Sequence, residues 1–260
     1  MSEEDVSKYD FTGWGPSYKN IQGETKCYAI FRYNAYLEDD WATIAANVEN
    51  GTAVDLYPVG ARKEMTVTLS DEVDYTIDVE IIAHNHDNLA DGSGKATLTF
   101  FCKNLPYILY QMCETNTSGW QNTDMRTFVN GELFNALPTE LRSAIKTVSK
   151  ISDGGANSKT LVTTEDKCWL ASYNEVGLVD GTMNLTGQGE LYKDTFTYGS
   201  DGTSSRIKYL PDGYTPYGWW LRTSCYSTPD STLFYRVTNS GGTYGDRPSG
   251  RYYVAFGFCI

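Results

Sequence analysis

The clearest alternation of apolar and polar residues lies in three segments between residues 62 and 102. "EMTVTLS" alternates strictly, "YTIDVEIIAHN" sets Ile77, Val79 and Ile81 on one face, and "ATLTFFC" follows the turn "NLADGSGK". Each predicts a strand. The period is helical before and after this block. In "LEDDWATIAANVENG", Trp41, Ile44, Ala45 and Val48 make one helical face, Asp39 or Asp40 can cap it, and Gly51 can end it. "NTDMRTFVNGELFNAL" predicts a second helix, with Asn122, Thr123 or Asp124 as candidate caps. "LPTELRSAIKTVSKI" predicts a third, with Pro138 in its first turn and Leu141, Ile145 and Val148 at core spacing. After "SDGGANSKT" short strands return as "CWLASYNEVGL", "GWWLRT", "TLFYRVT" and "YYVAFGFCI", separated by loops rich in Gly, Ser, Thr and Asp. Strands, then helices, then strands predict an α+β fold and disfavour a doubly wound nucleotide-binding sheet. Residues 1–36 read as an N-terminal arm or attachment segment, and 37–260 as one domain.

Composition narrows the function classes. A 40% hydrophobic content over 260 residues supports a real core. The net charge of −12 disfavours nucleic acid and anionic membrane as partners, because phosphate neutralisation needs a basic surface. No run approaches the roughly 18 apolar residues of a membrane-spanning helix. "MSEEDVSKYDFTGWG" has no apolar signal core, which predicts synthesis in a cytosol without a signal peptide. The six cysteines show no CxxC spacing, so zinc is not expected. A Cys225–Cys259 disulfide would require a later oxidising medium. Twenty tyrosines suit both a β-rich fold and a recognition surface.

Candidate chemistry is sparse. His84 and His86, with Asp87 beside them, read as a strand end entering a turn, because no third metal ligand is marked. Trp120, Asp124 and Arg126 surround a helix start, where Arg126 could bind an anion but is expected rather to form a buried ion pair or to bind loop carbonyls. Glu175 and Arg222 each sit among large apolar residues, and a Glu–Arg pair locking two long loops is the economical reading. No GxSxG, HExxH or phosphate-loop motif occurs, and nothing selects one carboxylate pair. No catalytic residue, metal or cofactor is therefore predicted.

The end of the chain is unusual by omission. None of the five Met, six Trp or two His falls within residues 223–260, and no Lys, Glu or Gln does either. A compact β tail with glycine turns would use few of these types. A sharper explanation is mutagenesis of asparagine codons at their adenines, which never yields Lys, Glu, Gln, Met or Trp.

"VEIIAHNHD", "SGWQNTDMRTFVN", "LPTELRSAIKTVSK", "TTEDKCWLASYNEV", "GWWLRT" and "YYVAFGFCI" resemble, in order, the motifs of an uncharacterised domain family of gut bacteria and their phages, found in phage tail or surface proteins. The resemblance covers about residues 38–260, and "DDWATIAANVENGTAVDLYPVGARKEMTV" looks like its opening. It departs at the end, where this chain reads "VAFGFCI" and many relatives read closer to "GVRPAF". The family is similar in layout to the C-type-lectin-like fold shared with formylglycine-generating enzymes and with the variable proteins of diversity-generating retroelements. That resemblance implies short twisted sheets, two or three helices, long ordered loops and a diversified surface within residues 223–253. The implied ligand-binding positions are Ser224, Tyr226, Ser227, Asp230, Ser231, Tyr235, Asn239, Tyr244, Asp246, Arg247, Arg251 and Tyr252. Trp120, Arg126, Glu175, Trp219, Trp220 and Arg222 are the implied scaffold. The implied function is non-enzymatic recognition of a host cell-surface protein or glycan, on a virion or a bacterial surface. The N-terminal segment would contact virion neighbours in a homo-oligomer, with a trimer as one form. The alternatives are a structural decoration protein of a virion and an enzyme related to formylglycine-generating enzymes, for which Cys225 and Cys259 would be the cysteine pair.

Overall fold

The computed structural model describes residues 7–15, 28–155, 158, 160–178, 187–225 and 232–260. Its architecture is α+β, with short helices around several small sheets.

The alternating block forms most of one five-stranded antiparallel sheet. Its strand order is Arg62–Thr68, Asp74–His84, Leu98–Cys102, Phe256–Cys259, Cys168–Leu170. The end of the chain is thus inserted between strands from its first and second halves. Alternation holds along Arg62–Thr68, but from Ile77 to Ala83 both faces of the next strand are buried. Trp41 packs edge-on against Phe100 and Phe258, at 5.4 and 6.0 Å, and so fixes the helix Trp41–Glu49 to this sheet. Asp40 caps that helix, its Oδ1 accepting from the Thr43 amide at 2.7 Å. Such a cap contributes about 1 kcal/mol.

The second five-stranded sheet has the order Thr243–Asp246, Leu233–Val237, Trp219–Cys225, Tyr252–Tyr253, Leu109–Tyr110. Trp219–Cys225 is its fully buried centre. Trp219 meets Phe101 of the first sheet at 5.8 Å, joining the two sheets in one core. Thr243–Asp246 is an edge strand, with its side chains exposed or half-buried.

The helical segments depart from the sequence expectation in one place. Thr123 caps the helix Asp124–Phe128, which continues through a wider turn, Val129–Leu133, to Ala136. The third helix, however, spans only Thr139–Ala144. Ile145 leaves helical geometry, and the Lys146 amide bonds the Cys259 carbonyl at 2.8 Å. Val148–Asp153 is then a strand, paired with Leu161–Asp166. The apparent helical spacing of Ile145 and Val148 instead records two separate burials.

Within the expected N-terminal arm, Tyr9–Gly15 and Tyr28–Tyr33 form an antiparallel ribbon with a bulge between Phe11 and Gly13. Phe11 and Phe31 are exposed on it, 5.7 Å apart. Arg32 ties the ribbon to the body through Glu80 at 3.2 Å and the Thr195 hydroxyl at 3.0 Å. No helix among the described residues is long and apolar enough to cross a membrane.

Candidate functional site

The central strand of the second sheet carries a buried lock. Arg222 is fully buried, and all of its N–H groups have acceptors. Its Nη1 and Nη2 make a bidentate pair with Glu175, at 2.5 and 2.9 Å. Nε donates to Ser152 Oγ, and the rest of the fork reaches the carbonyls of Leu170, Ile151 and Gln188. The sequence paired Glu175 with Arg222; in the structure this pair joins the loop after Cys168–Leu170 to Trp219–Cys225.

The lock continues into Lys150, which the sequence did not single out, and Asp87, which it had read as part of a strand end. Lys150 Nζ donates to Glu175 Oε1 at 3.2 Å and to Asp87 Oδ1, and lies 3.4 Å from the Trp169 ring centre. Asp87 also accepts from Tyr192 and Thr99, at 2.9 and 2.7 Å. Burial pushes the Asp87 carboxyl up, but the Lys150 charge and hydrogen bonds from Lys150 and Thr99 outweigh it and hold the group well below the carboxylate range. Glu175 behaves alike: burial raises it, and the charges of Arg222 and Lys150 pull it below its ordinary value. Two cations thus compensate two carboxylates. A cavity of about 380 Å³ opens beside this cluster, lined by His86, Lys95, Ser149 and Glu190 together with Asp87, Lys150 and Glu175.

The histidines do not converge. His84 ends its strand with Nε2 2.8 Å from the Tyr57 carbonyl, and His86 Nε2 lies 3.3 Å from the Leu191 carbonyl. Asn85 between them is left-handed, which turns the chain.

The other expected scaffold residues are fixed from both ends. Trp120 Nε1 and Arg126 Nε both bond Asp166, at 3.0 and 2.6 Å, and Arg126 also reaches the Gln121 and Glu165 carbonyls. Trp219 Nε1 donates to the Arg206 carbonyl, and Trp220 Nε1 to the Tyr110 carbonyl. Arg206 itself is buried and donates only to carbonyls, those of Val176, Gly177, Thr197, Gly199 and Gly241. Nothing in "GTSSRIKYL" marks it, because backbone acceptors leave no sequence signature.

Of the expected ligand-binding positions, Tyr226, Ser227, Asp230 and Ser231 lie outside the described residues. Two others are corrected. Ser224 is buried, its hydroxyl accepting from Asn116 Nδ2 at 2.9 Å and its amide donating to Asp153. Tyr235 is buried against Tyr173, with ring centres 4.7 Å apart. Both are polar residues whose partners come from distant elements, so polarity misplaced them on the surface. Asn239, Tyr244, Arg247 and Arg251 are exposed, while Asp246 and Tyr252 are half-buried.

These last residues gather around Arg236, which the sequence reading passed over. Its guanidinium lies 4.4 Å from the Tyr252 ring centre and 5.2 Å from that of Tyr244. Its Nε donates to Asp246 Oδ2 at 3.1 Å, and the Tyr252 hydroxyl donates to the same oxygen at 2.6 Å. Burial raises the Asp246 carboxyl, but the hydrogen bonds from Tyr252 and Arg236 lower it further, and it stays below its ordinary value. Tyr252 rests edge-on upon Trp220 at 5.0 Å. The exposed face is therefore built directly upon the buried strand.

The described cysteines are all free and buried, Cys225 and Cys259 included. Burial and the nearby Asp87 charge push the Cys259 thiol well up, which is no setting for a reactive thiolate.

No curated protein and no solved structure matches the chain. One family model does, over residues 104–255, a span that contains Glu175, Arg222, Arg236 and every expected ligand-binding position. That span is more than half of the 260 residues, and the chain belongs to the family it describes, a domain of unknown function (DUF6273).

Proposed function

We propose that this protein is a non-enzymatic recognition protein with a C-type-lectin-like arrangement of its α+β fold. Its C-terminal face would meet a host cell-surface protein or glycan. One observation carries the reading: Trp219–Cys225 is buried and locked, while the strands Thr243–Asp246 and Tyr252–Tyr253 of its sheet and the turn between them leave Tyr244, Arg247 and Arg251 exposed, with Asp246 and Tyr252 half-buried. A paratope needs this division, with rigid anchors below and adaptable polar and aromatic groups above. The missing residue types of 223–260 fit a surface rewritten at adenines. The exposed aromatic ribbon of Tyr9–Gly15 and Tyr28–Tyr33 suits attachment to virion neighbours or to other copies.

The cavity beside Asp87, Lys150 and Glu175 has the convergent charges that an active site would need. Their full mutual compensation favours a structural role instead. The test is the natural sequence of the locus across a population of its source. Adenine-linked variation concentrated at Asn239, Tyr244, Arg247 and Arg251, with Arg222 and Glu175 fixed, is the expected result. An invariant tail would defeat the diversified reading and leave a structural decoration protein.

A further inference from the structure

The C-terminal face has a charge unlike the rest of the chain. Residues 223–260 hold three arginines, Arg236, Arg247 and Arg251, against Asp230 and Asp246, in a protein of net charge −12. Among the described residues, Arg236 spends only its Nε, on Asp246. Its planar fork is held in place by the Tyr252 ring below and Tyr244 beside it, while Nη1 and Nη2 have no hydrogen-bond acceptor among the described residues. Both Asp246 oxygens are committed, Oδ2 to Arg236 and Tyr252, and Oδ1 to the Arg247 amide. The carboxylate therefore orients the fork without occupying its outer nitrogens. A preorganised guanidinium with two free parallel donors matches a carboxylate bidentately. Tyr244, 58% exposed, adds a flat ring beside it.

We infer that Arg236 is the anion-receiving fork of this face and that the ligand is a carboxylate-bearing sugar, an inference that rests on the recognition reading above. The sugar's carboxylate takes Nη1 and Nη2, and its C–H face lies on Tyr244. Arg247 follows Asp246 in the chain and is exposed, adding positive charge to this face, whereas Arg251 Nη2 donates to the Leu109 carbonyl at 2.9 Å. Charge range decides between a sugar and an acidic protein. Screening limits a charge's reach to about 8 Å at physiological salt, so a small anion senses mainly the local arginines. A partner protein covering about 800 Å² would also face more of a chain whose net charge is −12. The same excess of negative charge disfavours an extended polyanion.

The test uses the full chain on immobilised oligosaccharides in matched pairs, each uronic- or sialic-acid member beside its carboxyl-reduced neutral counterpart. Wild type is expected to bind acidic members and to lose about tenfold or more on carboxyl reduction, the scale of a charge-assisted hydrogen-bond pair. Arg236→Gln should abolish that preference, and Arg236→Lys should restore only part of it because the charge returns without the fork. Glu140→Gln, an exposed change in the helix Thr139–Ala144, should leave it intact. An unchanged unfolding midpoint in Arg236→Gln separates lost binding from lost folding. Absence of binding to every acidic sugar overturns the inference, and so does binding that ignores Arg236 or capture of acidic peptides alone. Neutral-sugar binding through the same face would overturn the carboxylate but keep the recognition reading, which the population sequences test separately.

Discussion

Arg222 and Arg236 lie on neighbouring strands of one sheet and have opposite fates. Arg222 is sealed among six acceptors, and its charge is met by Glu175. Arg236 is held from below and beside and keeps its outer nitrogens unspent. The same side chain is thus a sealed lock in the interior and, on the next strand, a half-buried fork with unspent donors. The difference lies in what the neighbouring elements supply: carbonyls and a carboxylate in the interior, aromatic faces at the edge.

The strongest way to break this contrast is to remove one partner of the lock. Glu175→Gln or Arg222→Met should destabilise the fold by about 3–5 kcal/mol, because the remaining charge stays buried without its counter-ion. Urea unfolding midpoints measure it. Replacing both together with apolar residues should cost less than the sum of the singles.

Acid should attack the same lock. Asp87 and Glu175 have folded-state values below their unfolded ones, so their contribution is fully present above the ordinary carboxylate range near about 4. It is lost as pH falls from there through their folded values. Stability measured against pH should therefore decline on acidification, and Asp87→Asn should flatten that decline. An unchanged acid slope in the variant would assign the dependence to other carboxylates.

A smaller effect separates the corrected, buried positions from the exposed ones. Ser224→Ala removes the hydroxyl and leaves Asn116 Nδ2 with the Leu233 carbonyl as its remaining acceptor, and should cost about 1–3 kcal/mol. Asn239→Ala or Arg247→Ala should change stability by less than about 0.5 kcal/mol, because each is exposed. Thermal melts resolve the two classes.

The sequence made some of this legible and concealed the rest for physical reasons. Glu175 and Arg222 stood out because each is a charge embedded in an apolar run, "SYNEVG" and "WWLRT". Asp40 stood out because a cap acts within three residues. Lys150 did not, because it lies in "TVSKIS" as an ordinary alternating lysine, and Asp87 and Glu175 are 63 and 25 residues away. The helix predicted through Ile145 and Val148 failed because pairing with Leu161–Asp166 overrode local spacing. Arg236 was passed over within "TLFYRVT", where it read as one step of an alternating strand; its tyrosine neighbours arrive from Thr243–Asp246 and from Tyr252–Tyr253.

The most direct measurement is a substitution scan of the described positions from Trp219 to Tyr253, read as protease resistance of the displayed full chain. The account predicts that Arg222, Ser224 and Tyr235 tolerate almost nothing, while Asn239, Tyr244, Arg247 and Arg251 accept most side chains. Free substitution at Arg222, or intolerance at those four exposed positions equal to that of the core, would contradict a fixed lock beneath an exchangeable face.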